Sequence, residues 1–429
     1  MKKSEYNDLI EKIFGAISTN PHAGLMCSFM FSKPGEPFGF GGMGTEIYLH
    51  PTKLTSAALF ARTKGPPYLK YLSIDDMRSL LQDFIIDNYW HLADETMFRQ
   101  DNRAFSQIIS SDTKDPFAGL IEQSNIFTPV NNLTLYPLCT VSVSEDFNSE
   151  NFFLIKPDSL GQVLLPNDVD PKHLVFNRFP PIVDWKGRTE HVTAWLGVRS
   201  PAEQASFKMR AAILGAIALK PMHKHRYMFS GRHMFGGQCT VSAEGASTKF
   251  GGEHTPPMMH DILIGKDDHL WLSSLSTKLA ENKKAIRREV KALEYFYKAW
   301  PLEPSDRFAI LCMTLDAVFG DANHATQAVI DGVRNIIGSH VQDARLRLLM
   351  YLRAAVIHGG APDVFDSSKY AKYFTDYDAD PVRDMEQVVA ACLNMKIFDS
   401  KILHGEDPGA DLIRIAQQNG EMVRKMFGK

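Results

Sequence analysis

No hydrophobic run in the chain is long enough to span a bilayer. The longest, around 211–219, falls far short of the ~20 apolar residues a membrane helix requires. The first residues, Met1-Lys2-Lys3-Ser4-Glu5-Tyr6-Asn7-Asp8, turn charged and polar where a secretory leader would place its apolar stretch. Cysteine is scarce: Cys27, Cys139, Cys239, Cys312 and Cys392 are scattered, odd in number and contain no C-x-x-C, as expected of free thiols in a reducing compartment. A cytoplasmic protein with no membrane partner is therefore expected. A dominant charge is also missing, since 47 Lys and Arg face 50 Asp and Glu for a formal net charge of -3. No global field favours nucleic acid, and any such contact must come from a local patch. Repeats and low-complexity tracts are absent. What remains is 429 residues, 44% hydrophobic and 23% charged, ordinary for folded domains and too apolar for a disordered chain. At about 150 residues per domain, two or three domains are implied.

The two parts of the chain read differently, and an α+β fold is predicted: a mixed, strand-rich domain over 1–275, then an all-α helical domain over 276–429. In the first part, Phe152–Ile155, 162–165 and 173–176 are short apolar runs punctuated by Pro-Asp, Asn-Asp and Asp-Pro, the pattern of strands joined by turns. A helix is predicted from Ser73, with Asp76 at capping-box spacing. Another is predicted from Ser200-Pro201-Ala202-Glu203, and its continuation over 209–219 is apolar nearly all round, as in a buried helix. In the second part, helices are predicted over 278–300, 305–319, Ala325–Ile337, 341–358, Pro381–Phe398 and 411–427. Gly320, Gly338 and Gly359-Gly360 are the expected stops.

The densest chemistry lies in Arg345-Leu-Arg-Leu-Leu-Met-Tyr-Leu-Arg-Ala-Ala-Val-Ile-His-Gly-Gly360. Arg353 and His358 are five residues apart, about 140° around a helix, so they do not share a line. A long guanidinium can still swing toward an imidazole at the helix end. Asp316 falls near the end of another, largely apolar helix, where a carboxylate is costly unless paired, and Arg353 or Arg347 is the expected partner.

Arg353-Ala-Ala-Val-Ile-His358 resembles the R-x4-6-H motif of HEPN domains. Together with Leu315-Asp316-Ala-Val-Phe319 upstream and the His-Gly-Gly ending, roughly residues 300–400 look like the ApeA-like branch. The resemblance implies a helical bundle that forms a homodimer through these C-terminal helices, with the motif helices of two protomers building one composite site. It implies a metal-independent endoribonuclease of anti-phage or toxin type, needing no cofactor and answering to an antitoxin or a phage-derived trigger. Arg353 and His358 are then the catalytic pair, with Asp316 and Tyr351 supporting them. Histidine is the side chain that gives and takes a proton near neutral pH. An arginine stays charged and grips phosphoryl oxygens as charge develops on them. RNA supplies its own 2′-hydroxyl nucleophile, leaving 2′,3′-cyclic phosphate and 5′-hydroxyl ends. At Ala354 the sequence departs from the family, which usually carries a polar residue after the arginine. That departure favours an alternative reading as a non-catalytic RNA-binding or dimerisation module.

Three weaker signals remain. Lys283, Arg287 and Lys291, with Lys284 and Arg288 beside them, form one basic helical stripe able to contact an RNA backbone, diluted by Glu281, Glu289 and Glu294. Six of the fifteen histidines fall between 223 and 269: His223, His225, His233, His254, His260 and His269. A metal-dependent hydrolase built on that stretch is a third possibility, but no H-E-x-x-H or comparable ligand spacing is present, and no metal ligand is assigned. Gly39-Phe-Gly41-Gly-Met-Gly44 matches G-x-G-x-x-G, yet a strand-like run follows it where a dinucleotide site needs a helix. Trp185, Trp195 and Trp271 with Phe235 and Phe250 read as core of the first domain.

Overall fold

A computed structural model describes residues 1–22, 24–30, 44–96, 102–162, 183–184, 187–188, 191–223, 226, 232–242, 245–321, 325–338, 341–361, 363–407, 409–411, 414–415 and 417–420. Strands concentrate before residue 265 and helices after it, so the class is α+β as predicted. The chain divides into two compact units, Met1–Asn131 and Asn132–Lys429.

The first unit contains α1 (Lys3–Ala16), β1 (Ile17–Ser18), β2 (Leu25–Met30), β3 (Gly44–Leu49), α2 (Pro51–Lys64), α3 (Ile74–Asn88), the single turn α4 (Ala93–Thr96) and α5 (Ser111–Gln123). Its strands form an antiparallel sheet of order β1-β3-β2. Leu9, Ile13 and Phe14 of α1 are fully buried, and the Phe14 ring lies 5.1 Å from that of Phe117 on α5. The predicted start of α3 is built as read. Ser73 Oγ accepts from the Asp76 amide at 3.0 Å while the Asp76 carboxylate accepts from the Ser73 amide at 2.8 Å, satisfying two donors the helix leaves open.

The second unit opens with β4 (Asn132–Leu138), β5 (Val141–Val143), β6 (Phe147–Asn148), β7 (Phe152–Ile155), β8 (Val183–Asp184), β9 (Gly187–Arg188) and β10 (Ala194–Ser200). Then come α6 (Glu203–Ile217), β11 (Gln238–Ser242), β12 (Gly245–Lys249) and β13 (Ile262–Ile264). Six of these strands make an antiparallel sheet, β12-β11-β4-β10-β7-β6. Leu133, Leu135, Phe153, Trp195 and Val241 form a core cluster on it, and alternate residues of β4 turn to α6, where Tyr136 Oη meets Ser206 Oγ at 2.8 Å. Ser200 ends β10 rather than capping α6, which therefore begins two residues later than predicted, at Glu203 with Ala202 before it. The runs at 163–165 and 173–176 and residues 39–43 of the glycine-rich segment lie outside the described residues.

Helices follow: α7 (His269–Ala280), α8 (Lys284–Ala299), α9 (Pro304–Phe319), α10 (Ala325–Ile337), α11 (Asp343–Ile357), α12 (Ser368–Tyr377) and α13 (Pro381–Phe398). The predicted helix over 278–300 is two helices broken at residues 281–283. The division expected at 275 differs from that of the structure, which falls at Asn131/Asn132, because sheet and helices share a core. The apolar C-terminal half of α6 is buried all round and crosses α8 at Gly215, where a Cβ would stand 2.1 Å from the Leu293 carbonyl oxygen. Only glycine permits that approach. Trp271 on α7 is fully buried, donates to Asp268 Oδ1 at 2.8 Å and packs edge-on against Phe398 of α13. Phe235 packs partly buried on the sheet's core cluster, but Phe250, expected in the core, is exposed, and Trp185 lies outside the described residues. Across the helices, Arg345 Nε of α11 donates to Tyr373 Oη of α12 at 2.8 Å and to Asp384 Oδ2 of α13 at 2.7 Å.

Candidate functional site

Arg353 lies in the last turns of α11 and is buried, its side chain 9% exposed. Its guanidinium crosses to α9, where Nη2 donates to Asp316 Oδ2 at 2.5 Å, and Nη1 stands 3.5 Å from Thr326 Oγ1 of α10. Three helices are thus tied at one guanidinium. The sequence left Arg353 and Arg347 open as the partner of Asp316; the structure places Arg353 there and leaves Arg347 exposed. Leu311, Cys312 and Leu315 of α9 and Leu349 and Met350 of α11 are buried and build the apolar ground around the pair. Burial pushes the Cys312 thiol well above its ordinary range, so it stays protonated; Arg353 and Asp316 pull that value in opposite directions. Neither Arg353 Nε nor Asp316 Oδ1, both shielded from solvent, has a hydrogen-bond partner among the described residues. The pair is therefore incompletely satisfied, as are several other buried polar atoms of the chain.

His358 stands one residue beyond α11 and is exposed. Its amide closes the helix on Ala354 O at 3.1 Å, and the turn is completed by Gly359, whose φ of 72° is the left-handed conformation that glycine adopts freely. No hydrogen bond or ion pair joins Arg353 to His358 among the described residues; the arginine points to α9 and the histidine to solvent. Tyr351 is half exposed and, with Arg347 and His358, marks the outward stripe of α11, with Ala354 between them. Ile357 beside His358 is 43% exposed.

The basic stripe on α8 borders an open cleft of about 630 Å³ against α9, lined by Lys284, Arg287, Arg288, Lys291, Tyr295 and Asp316, among others. The cleft thus borders Asp316, the residue that holds Arg353. The five cations called for RNA are not equivalent. Arg288 donates from Nε to Ala317 O at 2.7 Å and from Nη2 to Gly320 O at 2.7 Å and Asp316 O at 3.3 Å, so it closes the C-terminal turn of α9 instead of facing a ligand. Lys291 pairs with the buried Glu294 at 2.7 Å and lies 4.7 Å from the Tyr295 ring centre. Lys283 pairs with Glu281 at 2.7 Å on the surface. Lys284 and Arg287 are exposed and have no ion-pair partner among the described residues. Gly320 is a stop as predicted, though with φ of -56°. Its glycine is required by space, because a Cβ would stand 2.5 Å from Asp316 O.

The histidines of the 223–269 stretch are dispersed. His223 lies 3.4 Å from Asp407, His233 and His260 are exposed, His269 meets Glu145 O at 3.3 Å, and His225 lies outside the described residues. His254 is buried between β4, α6 and α8: Nε2–H donates to Gly237 O at 2.6 Å and Nδ1 accepts from Arg210 at 3.1 Å. Burial and the neighbouring Arg210 lower its pKa to about 3, so it is a neutral strut of the core. Among the described residues, no group of three or more His, Cys, Asp and Glu is placed to hold a metal ion. No helix among them is long and apolar enough to cross a membrane.

The roles of Arg288 and Glu294 were missed by reading the sequence. A signal existed for Glu294, an acidic residue three positions after Lys291 on a helix. None existed for Arg288, whose partners are carbonyls on another helix. No family model, no curated protein and no solved structure matches the chain.

Proposed function

We propose that the protein is a metal-independent, HEPN-like endoribonuclease in which Arg353 and His358 act on RNA across a homodimer of the C-terminal helices. The observation that supports this most is the end of α11, where a buried, charged and incompletely satisfied Arg353 precedes an exposed His358 by five residues. Asp316 holds the guanidinium in place through one donor, leaving others to take a phosphoryl oxygen. His358 moves the proton, from the 2′-hydroxyl or to the leaving 5′-oxygen. Because Arg353 and His358 of one chain do not touch, each completes the pair with its counterpart on a second copy. The outward stripe of Arg347, Tyr351 and Ala354 with the apolar Ile357 is the surface across which the two copies meet. General acid–base help of about 10²–10⁴-fold per group makes such a site workable without metal. An antitoxin or a phage-derived trigger would act by controlling access to that face.

A second reading, a binding or dimerisation module without catalysis, is favoured by the same Arg353–Asp316 pair, which occupies the arginine, and by Ala354. Paired expression of wild type and His358→Ala from a tight promoter separates the two. Growth arrest with fragmented RNA in wild type alone supports the nuclease, whereas fragmentation that survives His358→Ala removes His358 from the chemistry.

A further inference from the structure

We infer that the cleft between α8 and α9 is a binding site for a short single-stranded segment of RNA outside the reacting phosphate. The inference rests on the reading of the protein as one that acts on RNA. Lys284 and Arg287 lie at one end of the cleft, exposed and without an ion-pair partner among the described residues. Tyr295, with Met313 on the facing helix, lines it as well, and Met313 is 38% exposed. Lys284, Arg287, Lys291 and Tyr295 recur at three- and four-residue spacing, so all four share one face of α8. At 1.5 Å per residue, Arg287 and Tyr295 stand about 12 Å apart along the helix. That span exceeds one nucleotide's backbone repeat and suits a short run of strand, with phosphates at the Lys284–Arg287 end and a base against Tyr295. Cations that track a backbone beside an aromatic ring form the platform that unpaired nucleic acid uses, because a ring in a cleft reaches a base only when that base is unstacked. Lys291 lies 4.7 Å from the centre of the Tyr295 ring and is paired with Glu294, so the phosphate contacts fall to Lys284 and Arg287. At its other wall the cleft reaches Asp316, whose carboxylate holds Arg353, so a strand lying here is led toward the proposed reacting pair.

The test is fluorescence anisotropy of a labelled 12-nucleotide single strand across a salt series, with the full-length protein carrying His358→Ala so that cleavage does not intrude. Lys284→Ala with Arg287→Ala is expected to weaken binding and to flatten the slope of log K against log[salt] by roughly 1.4, about 0.7 per lost phosphate contact on single strands. Tyr295→Leu is expected to weaken binding about 5- to 150-fold with the slope unchanged, and Tyr295→Phe to restore it. The same sequence as a duplex should bind more weakly and ignore Tyr295. An unchanged salt slope in the double variant overturns the inference, as does a duplex that binds as well as the single strand. Adenosine triphosphate competing as strongly as the 12-mer would make this a site for a free nucleoside phosphate and overturn the strand assignment. Binding that behaves as expected in a protein that never cleaves RNA would sink the nuclease reading and leave this one standing; cleavage without these binding effects would do the reverse.

Discussion

Replacing Asp316 with asparagine removes the charge paired with Arg353 and leaves the side chain almost the same size. Removing one member of a buried ion pair costs about 3–5 kcal/mol, because the other charge stays buried without compensation. The side chains of Arg353 and Asp316 are 9% and 30% exposed, so the carboxylate keeps some water. The expected loss therefore sits at the low end, about 3 kcal/mol. For a chain of this size 1 kcal/mol moves the melting temperature by about 1 °C, so Asp316→Asn should melt roughly 3 °C below wild type. Arg353→Met, which removes the stranded charge and keeps an apolar chain in the buried site, should recover part of that loss when combined with Asp316→Asn. The coupling energy of the cycle should fall between about 1 and 3 kcal/mol. Thermal melts followed by circular dichroism read all four proteins. An Asp316→Asn melting point within a degree of wild type, or strictly additive effects, would refute the claim that the pair ties α9 to α11.

Other perturbations test neighbouring parts of the account. Arg288→Ala strands the carbonyls of Asp316, Ala317 and Gly320; a charged hydrogen-bonded group is worth about 1.5–3 kcal/mol, and urea unfolding should show a loss of that order that Arg288→Lys only partly repairs. Cys312, and Cys392 with its pKa pushed up to about 12 by burial, should resist maleimide at pH 8 in the native protein and react on unfolding, as peptide mapping by mass spectrometry would report. His254 predicts a pH dependence. Its folded pKa of about 3 lies below the unfolded value near 6.5, so the unfolded chain takes up a proton first as pH falls. The stability it contributes is complete above about pH 6.5 and is lost between there and about pH 3. From pH 7 to pH 5 the loss from this residue alone is about 2 kcal/mol, and urea titrations should find that difference in wild type and not in His254→Phe.

Local features of the fold were legible where a short run of residues decides the geometry. Ser73 and Asp76 announce their capping box, Gly338 and Gly359 sit in the left-handed conformation at the expected helix ends, and the apolar run from Ala211 is buried as its lack of a polar face requires. Features that depend on distant partners were not legible. The break at 281–283 carries no proline or glycine, and Glu281, Asn282 and Lys283 suit a helix or a turn equally, so no local signal marks it. The Gly215–Leu293 crossing that joins sheet and helices into one unit cannot be read from either segment alone, which is why the boundary expected near 275 fell elsewhere. At the candidate site, the sequence identified Arg353, His358 and Asp316 as residues of interest and left the choice between Arg353 and Arg347 open. It treated the α8 cations as one stripe, whereas carbonyls of α9 take up Arg288 and the neighbouring Glu294 takes up Lys291, leaving Lys284 and Arg287 facing outward.

The most direct test of the central claim is end analysis of RNA incubated with purified protein in EDTA, wild type beside His358→Ala and Arg353→Ala. The account predicts that wild type alone produces fragments, and that these end in 2′,3′-cyclic phosphate and 5′-hydroxyl groups. Fragments with 5′-phosphate ends, or cleavage that EDTA abolishes or that both variants retain, would contradict it.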